Sequence, residues 1–187
     1  MHYFIDLDGV IIDSAHECYE VSANVIYESE EQNYKYKDMF LKYRGLVLDA
    51  GEYLILHQTL CKYFENKQCT FSKLYNDLLE KIDKEELIKY ADKFFKERDL
   101  LIAKNENYWL KLNPLTKFGK FLSQQKLNNV IIVTSKNFLP AKKILDHNNI
   151  AYIDLFGSES ISKEHSKGNL IKRYLDHNKI NNAIFID

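Results

Sequence analysis

Four short apolar runs constrain this chain more than anything else in it. They are Tyr3-Phe4-Ile5-Asp6, Val130-Ile131-Ile132-Val133-Thr134, Ala151-Tyr152-Ile153-Asp154-Leu155 and Ala183-Ile184-Phe185-Ile186. Each has the length of a buried strand. Helical stripes separate the later runs. Leu115, Phe118, Phe121 and Leu122 form one, and Ala141, Ile144 and Leu145, with Pro140 in a first helical turn, form another; Leu170, Ile171, Tyr174 and Leu175 form a third. Strands alternating with helices predict an α/β fold in which a parallel sheet is joined by right-handed helical crossovers.

The alternation fails between about residue 15 and residue 112, where no buried strand can be read. Cys18, Val21, Val25 and Ile26 make one helical face, Leu74, Leu78, Leu79 and Ile82 another, and Leu87, Tyr90, Ala91 and Phe94 a third. The expectation is a core built from 1–14 and 113–187, with an all-helical segment, 15–112, inserted after the first strand. Asn113-Pro114 suits the return boundary, because a residue before proline resists the helical conformation.

Charge and composition narrow the function. The net charge of −1 argues against a broad nucleic-acid surface. No apolar run approaches the length of a membrane span. The opening Met-His-Tyr-Phe-Ile-Asp has no basic segment followed by a long apolar one, so no secretory leader is expected. Cys18, Cys61 and Cys69 are odd in number and lack a CxxC spacing. They read as reduced thiols in a cytoplasm rather than as a disulfide framework or a zinc site.

The chemistry gathers where the first strand ends, in FIDLDGVIIDS, residues 4–14. Asp6 and Asp8 are two apart, so along an extended chain they face a common space. Gly9 permits a sharp backbone turn. Sites in open parallel sheets lie outside the carboxyl ends of the strands, which is where Asp6 falls. Two adjacent carboxylates repel, so one tends to keep a proton. Such a pair can divide the work between an ionised nucleophile or metal ligand and a proton shuttle. A bare DxD is also compatible with a strand-end cap and a turn.

The whole string, with Asp13 and Ser14, resembles the first motif of the haloacid dehalogenase superfamily, hhhhDxDGxhhDS. The resemblance implies a Rossmann-like three-layer core with a helical C1-type cap over 15–112. It implies that Asp6 attacks phosphorus and becomes an aspartyl-phosphate, and that Asp8 is the general acid and base. The second acid points to phosphoryl transfer, since the dehalogenating members lack it. Val130–Ser135 resembles the second motif, in which Thr134 would bind a phosphoryl oxygen with the Ser135 backbone beside it. Gly9, Ser135, Lys136 and Arg44 are the expected substrate contacts. Lys167, opening the stripe Leu170-Ile171, resembles the motif-three lysine, with Lys163 as the alternative. Ala183–Asp187 resembles the fourth motif. There Asp187 would be the first acid of a pair whose second member would follow, so the core is expected to be C-terminally incomplete. The implied cofactor is Mg2+, held by Asp6, the Asp8 backbone carbonyl and Asp187.

Positive charge is a physical necessity for such a site. A carboxylate at about 3.5 Å from a phosphate dianion is repelled by roughly 9 kcal/mol at an effective dielectric near 20. A magnesium ion and a lysine reverse that sign. The resemblance therefore implies a magnesium-dependent phosphatase of a small phosphomonoester, monomeric or homodimeric and cytoplasmic. A phosphomutase, or an impaired phosphate-binding or regulatory protein, is the alternative. In the helical segment Arg44, within Tyr43-Arg44-Gly45, could grip a carboxylate or phosphate; a surface arginine near a helix end is the plainer reading. His16 is expected on a helix surface, and His57, His147, His165 and His177 show no ligand spacing. Trp109 is expected to pack where the helical segment meets the core.

Overall fold

The protein is described by a computed structural model over residues 1–27, 35–65 and 69–187. It divides into two compact units, Met1–Ser14 with Asn113–Asp187, and Ala15–Leu112. In chain order the elements are β1 (His2–Ile5), α1 (Ala15–Ile26), α2 (Lys37–Tyr43), α3 (Tyr53–Glu65), α4 (Phe71–Leu79), α5 (Lys84–Lys104), α6 (Glu106–Lys111), α7 (Lys117–Ser123), β2 (Val130–Val133), α8 (Phe138–His147), β3 (Asp154–Phe156), α9 (Ser158–Glu164), α10 (Lys167–Asn178) and β4 (Ala183–Ile186). Residues 28–34 and 66–68, within the expected helical segment, lie outside the described residues.

The α/β unit carries a four-stranded parallel sheet in the order β3-β2-β1-β4. Ile5 of β1 lies opposite Ile132 of β2 and Ile186 of β4. Every residue of β2 is buried, the pattern of an inner parallel strand and the reason its sequence is apolar without alternation. Phe4, Ile131 and Val133 pack with Leu170 of α10, and Phe156, Tyr174 and Leu175 lean on that cluster.

Three expectations need correction. The third strand is Asp154–Phe156, not 151–155. Asn149, at φ 53°, closes α8, and the Ile150 N–H turns back to the Leu145 carbonyl at 3.0 Å. Contact with β2 begins only at Ile153, whose N–H donates to the Val130 carbonyl at 2.8 Å. The fourth run is a strand but not a buried one: Ile184 and Phe185 are 44% and 42% exposed. It stands at the sheet edge, paired on one side with β1. Finally, Leu115 precedes α7, and Phe121 points outward at 55% exposure. Thr116 caps that helix, accepting from the Gly119 N–H at 2.9 Å and donating to the Val10 carbonyl at 2.5 Å. Gly119 is forced by proximity: a Cβ there would sit 2.0 Å from the Ile11 carbonyl oxygen.

The helical unit has its own core, in which Phe40, Tyr53, Leu56, Leu60, Tyr90 and Phe94 are buried. Tyr53 stacks between Phe40 and Phe94, with ring centroids 5.7 and 5.0 Å away. Helix α4 buries Phe71 and Tyr75, and Leu78, Leu79 and Ile82 of the expected stripe pack on the same core with partial cover, so the aromatic pair extends that face toward the start of the helix. Aromatic rings at i and i+4 claim that face because they remove the larger area from water. Cys18, Cys61 and Cys69 form no disulfide. Among the described residues no helix is long and apolar enough to cross a membrane.

Candidate active site

Asp6 follows β1 directly, and its N–H donates to the Ile186 carbonyl at 2.9 Å. The register of β1 and β4 therefore sets Asp6 beside Asp187, the residue after β4. Lys167, the first residue of α10, reaches both acids: its Nζ lies 2.8 Å from Asp6 Oδ2 and 2.7 Å from Asp187 Oδ1. The other Asp6 oxygen, Oδ1, accepts from the Leu7 N–H at 2.8 Å. That donor is a backbone group, so no residue-type signal could have announced it. Ser166 caps α10, its hydroxyl accepting from the Asn169 N–H at 3.1 Å, which fixes where the helix starts and hence where Lys167 stands.

The chain then turns sharply. Gly9 adopts φ 81°, and its N–H donates to the Ile12 carbonyl at 2.8 Å. A side chain at that φ would be strained. Asp8, just before the turn, has Lys136 Nζ at 3.3 Å from its Oδ1. Thr134, after β2, is fully buried, and its Oγ1 accepts from the Lys136 N–H at 3.1 Å. That bond uses a lone pair and leaves the hydroxyl proton available for an acceptor. Ser135 is exposed.

Asp6, Asp8, Lys136, Lys167 and Asp187 are thus linked in two ion-paired groups within one unit, and Thr134 joins them through the Lys136 backbone. Arg44 belongs to the helical unit, where its guanidinium lies 5.1 Å over the Tyr53 ring and its Nη1 donates to the Val47 carbonyl at 3.2 Å. Lys163 does not share the Asp6 contact; it lines a groove of ≈ 500 Å³ with Asp154, Phe156, Glu164, Arg173 and Tyr174. That groove includes none of the acids at the strand tips, and its size alone gives it no chemistry. The ion pair between Lys136 and Asp8 is more enclosed than a substrate contact requires: the lysine side chain is 1% exposed.

Two solved structures share this architecture. A haloacid dehalogenase-like family hydrolase from Streptococcus pneumoniae aligns over 99% of this chain and 74% of its own, with a TM-score of 0.51 at 15% identity. A candidate phosphatase from Clostridium difficile aligns over 98% of this chain and 74% of its own, with a TM-score of 0.53 at 17% identity.

The chain has the haloacid dehalogenase-like fold.

No protein-family model and no curated protein sequence matches it.

Within this haloacid dehalogenase-like unit the electrostatics are unbalanced. Burial pushes the Asp6 carboxyl up to about 6; Lys167 and the Leu7 N–H pull against that, and a hydrogen bond with Asp187 adds to it. Asp187 is held below its ordinary value, chiefly by its hydrogen bond to Lys167. Burial disfavours the Lys167 ammonium, but its bonds to Asp187 and Asp6 outweigh this and raise its pKa. Of the two acids, Asp6 is therefore the more readily protonated. When all are charged, three carboxylates face two lysines, so negative charge is in excess.

That excess bears on a metal. Among the described residues no group of three or more His, Cys, Asp and Glu side chains is arranged so that together they could hold a metal ion. The side-chain donors at the strand tips are the carboxylates of Asp6 and Asp187, all oxygen. A small oxygen set with uncompensated negative charge fits magnesium, which takes one or two carboxylates and completes its shell with water and phosphate.

Proposed function

We propose that this protein is a magnesium-dependent phosphatase that hydrolyses a small phosphomonoester through an aspartyl-phosphate at Asp6. The observation that carries the reading is Lys167 bridging Asp6 and Asp187, at 2.8 and 2.7 Å, at the carboxyl end of a parallel sheet. A carboxylate so placed, with a cation beside it, has the charge partner that attack on a phosphate demands. The haloacid dehalogenase-like fold agrees with the reading.

Asp6 attacks phosphorus as the ester P–O bond breaks, and the leaving oxygen takes the proton of Asp8. In the second half Asp8 accepts a proton from water, the water oxygen bonds phosphorus, and the Asp6–phosphorus bond breaks to free inorganic phosphate. Lys167 offsets the charge that the phosphoryl group brings to Asp6. The Thr134 hydroxyl donates to a phosphoryl oxygen. Asp6, Asp187 and the Asp8 backbone carbonyl would hold magnesium, which would supply the positive charge that the protein side chains lack. The helical unit acts as a cap, with Arg44 as its candidate contact to a negatively charged part of the substrate.

The test is a screen of phosphomonoesters with and without magnesium, on the wild type and on Asp6→Asn. Release of inorganic phosphate that needs both Asp6 and the metal supports the reading. Equal release from both proteins overturns it. Transfer of the group to a second hydroxyl, with no inorganic phosphate freed, assigns a mutase instead.

A further inference from the structure

We infer that Lys136 is a positioning residue for Asp8, holding one carboxyl oxygen so that the other is presented to the leaving group. The inference rests on the phosphatase reading above. It starts from how firmly the segment after β2 is fastened. The Lys136 N–H donates to Thr134 Oγ1 at 3.1 Å, and the Lys136 carbonyl accepts from the Ser158 N–H at 3.0 Å. Two residues on, the Phe138 N–H donates to both Glu159 oxygens, at 3.2 and 3.1 Å. The lysine backbone is therefore set by both β2 and the start of α9, and its side chain runs inward.

An ammonium taken from water needs a counter-charge. Here the side chain is 1% exposed and Nζ lies 3.3 Å from Asp8 Oδ1. That oxygen is itself shut off from solvent and makes no hydrogen bond among the described residues, so the contact is one of charge. The Asp8 side chain as a whole nevertheless remains 19% exposed. Its exposure therefore lies on the rest of the group, whose other polar atom is Oδ2. The carboxyl thus has an inner oxygen facing Lys136, and the exposed part of the side chain lies away from that oxygen.

The division suits a residue that must pass a proton in one direction and take one back. Oδ2 gives its proton to the leaving oxygen as the ester P–O bond breaks, and later receives one from the attacking water. Lys136 exchanges no proton and touches neither reacting oxygen. Without it the carboxyl can rotate, and donation suffers most where the leaving group needs it most.

Turnover of phenyl phosphate and 2,4-dinitrophenyl phosphate tests this, because phenoxide needs the proton and dinitrophenoxide leaves without it. The expected result is that Lys136→Met and Lys136→Gln lower kcat on phenyl phosphate by at least about tenfold more than on the dinitrophenyl ester, with KM little changed. Lys136→Arg should restore most of the loss, and Lys136→Met should cost nothing further in an Asp8→Asn background. Equal losses on both esters, a change confined to KM, or additivity with Asp8→Asn overturns the inference. Should Lys136→Met fail to fold, Lys136→Gln carries the same comparison. Equal losses with an inactive Asp6→Asn overturn the role of Lys136 alone. A wild type that cleaves neither ester, or an Asp6→Asn that cleaves both as well as it does, removes the phosphatase reading and this inference with it.

Discussion

Both units bury charged and polar side chains, and they treat them in opposite ways. In the helical unit the groups close on one another. Glu17, fully buried, takes Arg98 Nε at 2.5 Å, Arg98 Nη2 at 3.3 Å and the Trp109 indole N–H at 3.3 Å. His57 lies between the Ser22 hydroxyl at 2.8 Å and the Tyr27 hydroxyl at 2.9 Å, and Tyr90 donates to the Ser22 carbonyl at 3.1 Å. In the Glu17–Arg98 pair one negative charge meets one positive charge, while Glu52, also buried in this unit, accepts from the Tyr75 hydroxyl at 3.0 Å and the Leu48 N–H at 2.8 Å. At the strand tips of the α/β unit, three carboxylates meet two lysines, and burial raises the Asp6 pKa. A closed network stabilises a fold; a network with charge left over is organised around something that arrives from outside. A buried carboxyl with a strongly raised pKa beside further like charge is the better candidate for function.

The largest expected effect breaks the open network. On the phosphatase reading, Asp6→Asn should lower turnover by about ten-thousandfold or more, since it removes the proposed nucleophile. The pH profile sharpens the claim. Asp6 must be ionised to attack, so in the metal-free state its availability falls as pH drops through about 6. Asp6→Asn should also make the metal-free α/β unit more stable above that pH and not below pH 4. Ionising a carboxyl whose folded pKa is raised costs stability as pH climbs from the unfolded value to the folded one. Thermal melts at pH 4 and pH 8 measure this, and equal melting shifts at both would count against the electrostatic account.

Next in size is the closed network. Arg98→Met removes the arginine from the fully buried Glu17, which should destabilise the helical unit by about 3–5 kcal/mol. Glu17→Met with Arg98→Met should recover most of that loss, because the pair is replaced rather than broken. Trp109, the one tryptophan in the chain, lies in the same unit and gives the fluorescence signal to follow. A single substitution as mild as the double one would show that the network is not closed by this pair.

The contrast between the units was only partly legible in the sequence. Strands β1, β2 and β4 lie within a residue of their apolar runs, because a short run flanked by turns has few other solutions. Lys167 pairs with Asp6, and Asp187 falls beside Asp6 by strand register. Burial was less legible. Ile184 and Phe185 are as apolar as Ile131 and Ile132, yet stay exposed, since apolarity says nothing of whether a strand is central or at an edge. Lys136 read as one more cation for the substrate, because an ion pair with Asp8 joins residues more than a hundred apart along the chain. His57 has no ligand spacing in the sequence; its partners are Ser22 of α1 and Tyr27 just after it, while His57 stands on α3, and Arg98 likewise stands on a different helix from Glu17. Pairs of this kind are fixed by packing, after the elements have formed.

His57 supplies the third effect. Burial drives its pKa down to about 3 from an ordinary 6.5. The unfolded chain therefore binds the extra proton first. The helical unit keeps its full stability above pH 6.5 and loses it as pH falls, by roughly 3 kcal/mol at pH 4.5. Denaturation followed at Trp109, at pH 7 and at pH 4.5, should show that loss in the wild type and a smaller one in His57→Gln. Equal pH slopes would assign the acid sensitivity of the unit to its carboxylates.

The smallest effect lies where β2 meets the strand-tip site. The Thr134 hydroxyl is buried and is the acceptor for the Lys136 N–H. Thr134→Val keeps the shape but removes that acceptor, leaving a buried N–H unpaired at a cost of about 1–2 kcal/mol. On the phosphatase reading it also removes a proposed donor to the phosphoryl group, so kcat should fall while KM for a good substrate moves less. Thr134→Ser retains the oxygen and should restore both stability and turnover. A valine variant that melts lower but turns over normally would make this hydroxyl a strut for Lys136 and nothing more, and the open network would then hold its ligand by charge alone.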